Sequence, residues 1–317
     1  MWGSLMLWKN VLKNDPEPKP IMEIDVDTIN INMSPERGTV GEEDFVIIPI
    51  PDTQGYSKNY PANFNAQTQW IVDNRDAWNI VYVAHEGDIV MTSSSILEWE
   101  NANAAITILE KSVSEGFPDG IPYGMVTGNW DVPTTNYNRY FSADRYRDRS
   151  YYGGVYSYPN NDNNYMLFSA SGMNFIVINL RWKFDNKELN WADKLLQSYS
   201  SRLAIIVSHW ILNEDGSFGQ PGETIYSTLK ENPNLFLLLC GHAEAENMRM
   251  DTYKGNVVYS LLANYQDRPN GGNGWLRILQ CSPANNEIRV KTYSPVLDMW
   301  ETDSNSEFTL YFNFDKK

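Results

Sequence analysis

From residue 45 onward the chain alternates short, continuous apolar runs with longer segments whose apolar residues recur at three-to-four spacing. The runs at 45–50, 80–84, 123–126, 165–170, 175–180, 203–207 and 235–240 read as buried strands, because they are short, apolar and bounded by turn residues. Helical periodicity fills 65–77, 96–113, 187–199 and 223–230. In the second of these Ile96, Trp99, Ala102, Ile106, Leu109 and Val113 share one face, and Ser95 with Glu98 has the spacing of a capping box. Ser171-Gly172 between two strands marks a hairpin. The stretch 133–160, dense in Tyr, Arg and Asn, reads as a loop. After residue 246 the pattern becomes all-β, with strands expected at 257–262, 276–281, 287–292 and 308–314, a Lys254-Gly255 turn and a glycine-rich loop from Asn270 to Gly274. Alternating strand and helix followed by strands alone predicts an α/β protein of stacked sheets with helices outside. In such sheets the loops leaving the strand carboxyl ends meet at one edge, where ligands bind.

Residues 1–44 do not share this pattern. Pro16, Pro18, Pro20 and Pro35 and many acids make them an irregular N-terminal extension with one short strand expected near 29–33. The opening Met1-Trp2-Gly3-Ser4-Leu5-Met6-Leu7-Trp8 is apolar but short, without a basic n-region or a clear cleavage site. It reads as the remnant of a processed leader, an added segment or an apolar docking arm, and the sequence leaves the three open. No stretch is long enough to span a bilayer. A formal net charge of −15 argues against a general nucleic-acid or anionic-membrane surface, though not against a small anionic substrate beside a bound dication. Cys240 and Cys281 both lie in apolar runs and read as two buried free thiols, with one disulfide as the open alternative. The abundance of Asn, Tyr and Trp suits an exported protein, and Asn32-Met33-Ser34 is a sequon in a polar segment.

The polar groups that close the apolar runs shift attention from fold to chemistry. Asp52-Thr53-Gln54 follows the first run, and Gly87-Asp88, Gly128-Asn129-Trp130-Asp131, Ser208-His209 and Gly241-His242-Ala243-Glu244 follow in order. Each alone is commonplace: a Gly-Asp pair caps turns, and a lone histidine is usually a hydrogen-bonded core residue. Together, in order and at strand ends, they resemble the signature of the calcineurin-like metallophosphoesterases, especially the branch that begins Pro-Asp-Thr-Gln. The resemblance runs from 45 to the C-terminus and extends to 67–72, 151–154 and 269–277.

That resemblance implies a four-layer α/β/β/α sandwich of two mixed sheets flanked by helices, occupying 45–317. It also implies two divalent ions (Mn, Fe, Zn, Mg or Ca) about 4 Å apart that clamp phosphate oxygens. The first ion would take Asp52, Gln54 and a bridging Asp88, with Gln54 where histidine is more usual. The second would take Asn129, His209 and His242 besides Asp88, a complete set. Two positions depart from the family pattern. Trp130 stands where a histidine assists the leaving group, and an indole cannot exchange a proton at neutral pH; Asp131, that histidine's usual partner, is left without it. Glu244 stands where the second histidine of Gly-His-x-His binds the first ion; a glutamate there still ligates and favours harder ions. His85 is expected to be a core histidine. Trp130, Tyr137 and Tyr140, with Arg139 and Tyr156 nearby, are expected to shape a substrate cleft. Two functions follow from the same residues. One is a metal-dependent hydrolase of phosphomonoesters or phosphodiesters, weakened at its proton-donating position. The other is a catalytically degenerate member serving as a structural or binding subunit. The partner is accordingly a small phosphoester or another protein, with the N-terminal segment as a possible docking element.

Overall fold

The computed structural model describes residues 40–111 and 118–314. The apolar start, the strand expected near 29–33, the sequon at Asn32 and the helix position Val113 lie outside the described residues.

Two seven-stranded sheets carry the fold. In the first, β1 (Phe45–Ile50) pairs in parallel with β2 (Ile80–His85), which pairs in parallel with β3 (Tyr123–Met125). The second is built from β4 (Tyr152–Val155), β5 (Asn164–Ala170), β6 (Met173–Leu180), β7 (Leu203–Ser208), β8 (Leu235–Cys240), β9 (Glu246–Tyr253) and β10 (Asn256–Ala263), in the order β4-β5-β6-β7-β8-β10-β9. The four strands β6, β7, β8 and β10 run parallel. Returning to the first sheet, β11 (Leu276–Ser282) lies antiparallel to β1, followed by β12 (Glu287–Ser294), on which β13 (Met299–Glu301) and β14 (Phe308–Tyr311) both pair.

The layers follow from which side chains each strand offers. In β6, Phe175 and Val177 enter the core between the sheets, whereas Ile176, Ile178 and Leu180 enter a second core. Strands buried on both faces read as continuous apolar runs, and that is why they are legible in the sequence. Phe45 meets Phe175 across the sheets at 5.4 Å between ring centroids. The outer face of the second sheet is covered by α6 (Asn186–Ser198) and α7 (Gln220–Leu229) through Leu189, Ala192, Leu196, Ile225 and Leu229. The first sheet is covered by α2 (Pro61–Asp73) and α3 (Ile96–Leu109), with the short α1 (Gln54–Asn59) leading into α2. The chain therefore has the expected α/β/β/α arrangement of two mixed sheets flanked by helices.

Local differences have local causes. On α3, Trp99, Ala102, Ile106 and Leu109 are buried, but Ile96 is exposed. The Ser95–Glu98 capping box is only half made: Ser95 Oγ accepts from the Glu98 N–H, while the Glu98 carboxylate accepts from the N–H groups of Met91 and Thr92 at 2.8 Å each. A complete box forms instead at Asp185 and Glu188, opening α6. The stretch 133–160 is not a plain loop; it holds α4 (Thr135–Tyr140), α5 (Ala143–Tyr146) and β4. Three of its tyrosines, Tyr137, Tyr146 and Tyr151, are core residues, whereas Tyr156 and Tyr158 are exposed. Tyr137 and Tyr146 are fully buried, and the Tyr137 hydroxyl donates to the Met125 carbonyl. The cleft role expected of Tyr137 is therefore replaced by packing, and Tyr140 stacks on Trp99 at 8° between ring planes. Cys240 and Cys281 are free and buried, one in each sheet.

A buried ion pair ties the sheets together beside the carboxyl end of β10, where Glu246 pairs with Ala263. Arg277 on β11 donates to Glu246 on β9 at 2.6 Å, and both side chains are buried. Glu246 also accepts from Tyr265, Thr292 and Ser306. Burial would raise its pKa, yet Arg277 and these hydroxyls hold it below the ordinary 4.5. Its contribution to stability is complete above that value and drains away as pH falls through the lowered folded value. Arg277→Met should cost about 3 kcal/mol in urea denaturation at pH 7, because it leaves the buried Glu246 carboxylate with only the partly exposed Arg268 as a charged partner. The stability gap between wild type and Glu246→Gln should narrow as pH falls below the ordinary glutamate range; a gap independent of pH would show that Glu246 is not charged in the fold.

Candidate metal centre

The carboxyl ends of β1, β2 and β3 and of β7 and β8 open on one edge. Asp52, Asp88, His209 and His242 meet there, drawn from both sheets. The backbone turns sharply as it leaves three of the strands: Asp52, Asp88 and His242 all have positive φ, at 39°, 49° and 71°. Such conformations cost non-glycine residues free energy and cluster at functional sites. Close approach explains two of the motif glycines. A Cβ on Gly128 would lie 2.0 Å from Asp88 Oδ1, and one on Gly241 would lie 1.9 Å from Asp52 Oδ2.

Asp88, His209 and His242 offer ligand atoms that all lie within 4.8 Å of one another. His209 Nδ1 lies 2.8 Å from the Glu86 carbonyl, to which it donates. That bond leaves Nε2 facing the cluster, 3.2 Å from Asp88 Oδ2 and 3.2 Å from Asn129 Oδ1. A backbone carbonyl that fixes the imidazole in this way is the usual support of a metal-binding histidine. The Trp130 backbone N–H donates to Asp88 Oδ1 at 2.9 Å, and the His242 backbone N–H reaches the Asp52 carboxylate at 3.2 Å. Asp52, Gln54 and Asp88 are buried. Gln54 Nε2 lies 3.4 Å from Asp88 Oδ2, and Gln54 Oε1 is buried without a hydrogen-bond partner. The donor set fits divalent cations: buried carboxylates, imidazole nitrogen held toward the cluster, and an orphaned amide oxygen beside them.

The electrostatics are those of charge in need of a counter-charge. Burial pushes Asp52 well above the usual carboxylate range, with Asp88 nearby adding to the rise and His209 opposing it. Burial acts on Asp88 in the same direction, but His209 holds it below its ordinary value. Burial would lower His209, yet the Asp88 carboxylate raises it to about 10. His242, by burial and by the neighbouring His209, is pushed down to about 4.

The remaining expected residues occupy definite places. His85 is a core histidine: its Nδ1 accepts from the Gly87 N–H and its Nε2 lies 2.9 Å from Thr53 Oγ1. Asp131, without a histidine partner, accepts from the backbone N–H groups of Ile89, Val90 and Gly128 at 2.8–3.0 Å and so fixes the loop that carries Asp88. The Trp130 ring is 48% exposed. Glu244 is exposed, and its Oε1 faces Gln266 Nε2 at 3.3 Å. Gln266, Trp182 and Trp210 are absent from the sequence-derived set. Trp182 and Trp210 stack on each other and flank the His242 ring at 5.2 and 5.1 Å between centroids. Tryptophan directly follows Ser208-His209, a signal that was open to reading; Trp182 carries none. Beside His242 opens a cleft of about 590 Å³, walled by Trp210, Glu214, Asp215 and Glu244.

Comparison with known proteins agrees with this fold. No family model matches the sequence. The chain is 35% identical over 285 residues to the curated Bacillus subtilis (strain 168) protein YvnB, which is named as uncharacterized. The match covers 84% of this chain but only 21% of YvnB, so the chain spans about a fifth of that relative's length. Among solved structures, the purple acid phosphatase PPD1 from yellow lupin superposes with a TM-score of 0.52 at 12% identity, covering 88% of this chain and 55% of that one. A dimetal phosphatase from Danio rerio gives 0.52 at 12% identity, covering 85% and 99%. GAP50, described as the anchor in the inner membrane complex of Plasmodium, gives 0.51 at 15% identity, covering 86% and 90%. The chain has the calcineurin-like phosphoesterase fold, with a candidate metal centre at the edge where both sheets end.

Asp131→Ala should destabilise the protein by about 3 kcal/mol, since it leaves three backbone donors without their buried acceptor. Urea denaturation measures this directly, and a loss below about 1 kcal/mol would mean that those donors find other partners.

Proposed function

We propose that the protein is a metal-dependent phosphoester hydrolase whose proton-donating position has been lost. The convergence of Asp88, His209 and His242 within 4.8 Å at the shared sheet edge carries this reading. Asp88, Asn129, His209 and His242 would hold one divalent cation, and Asp52, Gln54 and Asp88 would belong to a second. Cations held there supply Lewis acidity toward phosphoryl oxygens and toward water. The protein's own contribution is positional. The Glu86 carbonyl sets the His209 ring, the Trp130 N–H aims Asp88, and Asp131 holds the loop between them.

The leaving-group side has a different character. Trp130 exposes a ring that donates no proton at neutral pH, and the cleft beside His242 carries Glu214, Asp215 and Glu244. Such a wall disfavours polyanionic leaving groups and suits neutral or cationic ones. Without general-acid help, the reaction should run best on esters whose leaving group departs unprotonated, such as aryl phosphodiesters. Trp130→His should raise turnover of alkyl esters by about 10²-fold and change aryl esters little, because general-acid help is worth about 10²–10⁴. Asp88→Ala should abolish both. Absence of bound metal together with absence of turnover, in wild type and in Trp130→His alike, would refute the hydrolase reading.

A second reading is favoured by Trp130 itself: a phosphoesterase fold kept as a binding or structural subunit. GAP50, a neighbour in fold, is described as an anchor, which supports that possibility for the fold. Metal binding without turnover in wild type, restored by Trp130→His, is the result this reading expects.

A further inference from the structure

The strand β10 is another parallel member of the second sheet, beside β8. Its carboxyl end therefore opens on the same edge as those of β7 and β8. The chain leaves it as Asn264-Tyr265-Gln266, and each of these residues is anchored. Asn264 donates through Nδ2 to the His242 carbonyl at 3.2 Å and through its backbone N–H to the Ala245 carbonyl at 3.0 Å. Its Oδ1 accepts from the Gln266 backbone N–H at 2.9 Å. The Tyr265 hydroxyl is buried on Glu246 at 2.8 Å. The backbone of Gln266 is thus tied to the turn that carries His242.

The Gln266 side chain points back toward β1. Its Oε1 meets the amide nitrogen of Gln54, and that same nitrogen lies 3.4 Å from Asp88 Oδ2. On the other side, Gln266 Nε2 lies 3.3 Å from Glu244 Oε1. An ionised carboxylate only accepts hydrogen bonds. Glu244 therefore selects which end of the Gln266 amide turns outward, and the oxygen is left facing the Gln54 amide nitrogen beside Asp88. Gln54 completes the picture. Its Oε1 is buried and partnerless, and the two ends of an amide are told apart only by the partners they find. Turning that amide over would place two amide oxygens and the Asp88 carboxylate around one gap. In this structure the Gln54 amide nitrogen is the donor between them; with the amide turned over, a cation would take the donor's place.

Resting on the proposed metal-dependent function, we infer that Gln266 supplies an amide-oxygen ligand to the first cation, and that Glu244 is the positioning residue that orients it. Glu244 then acts through Gln266 instead of binding the ion itself. The first site becomes a set of oxygens, from Asp52, Gln54, Asp88 and Gln266, which suits hard cations such as Mn²⁺, Mg²⁺ or Ca²⁺. The second keeps two imidazoles, which suit Zn²⁺ or Mn²⁺. The two sites would differ in the metal they prefer.

The test is metal binding by the full chain, stripped with chelator and titrated with Mn²⁺ by calorimetry, with metal content measured after desalting. Wild type should bind two ions per chain. Gln266→Ala should bind one, with the affinity of the retained ion unchanged, and Gln266→Glu should again bind two. Glu244→Ala should keep both sites but weaken one by about 10–100-fold, the loss typical of removing an outer-shell partner. Equal melting temperatures in chelator would show that the variants fold alike. Two ions in Gln266→Ala at wild-type affinities, or outright loss of an ion in Glu244→Ala but not in Gln266→Ala, would overturn this assignment and leave the hydrolase reading standing. A wild type that binds one ion also overturns it, and a wild type that binds none overturns both.

Discussion

The carboxylate of Asp88 is the point on which the two sheets and the candidate site depend. It leaves β2 of the first sheet, takes the Trp130 N–H through one oxygen, and faces His209 of the second sheet with the other. A buried charge is tolerable only when such partners surround it. The loop geometry around it serves that requirement: Gly128 has no Cβ to collide with it, and Asp131 gathers the neighbouring backbone donors. Trp182 donates its backbone N–H to the Thr127 carbonyl at 3.0 Å, joining the end of β6 to the end of β3 beside the same cluster. The site is thus also a joint between layers, and packing and chemistry there share the same atoms.

Much of this architecture was legible in the sequence, for a physical reason. Strands buried on both faces must be apolar at every position, so β1, β2, β7 and β8 stand out as unbroken runs, and the polar residue that ends each run falls on the binding edge. Asp52, Asp88, Asn129, His209 and His242 are visible by that rule. The stretch 133–160 was not legible because tyrosine and arginine look solvated in a sequence, although a tyrosine with one satisfied hydroxyl packs like any aromatic residue. Tyr137 is the clearest instance. Arg145 is another: it lies over the Phe141 ring and pairs with Glu110, the residue after α3.

Gln266 shows the limit from the other side. It follows an apolar strand just as Asp52 and His209 do, so the positional signal exists. Its residue type hides it, because glutamine is common in turns and announces no chemistry. Only the proximity of Gln54 and Glu244, brought together from three separate strand ends, gives it meaning.

The left-handed backbone of Asp52, Asp88 and His242 also bears on how such a site is lost or regained in descent. At each of these positions glycine or asparagine would relieve backbone strain, so the loss of a candidate ligand side chain and its hydrogen bonds is partly offset. The reverse route starts from a relaxed turn and must pay strain again before any ion is bound. A strained turn of this kind is therefore easier to relax than to rebuild.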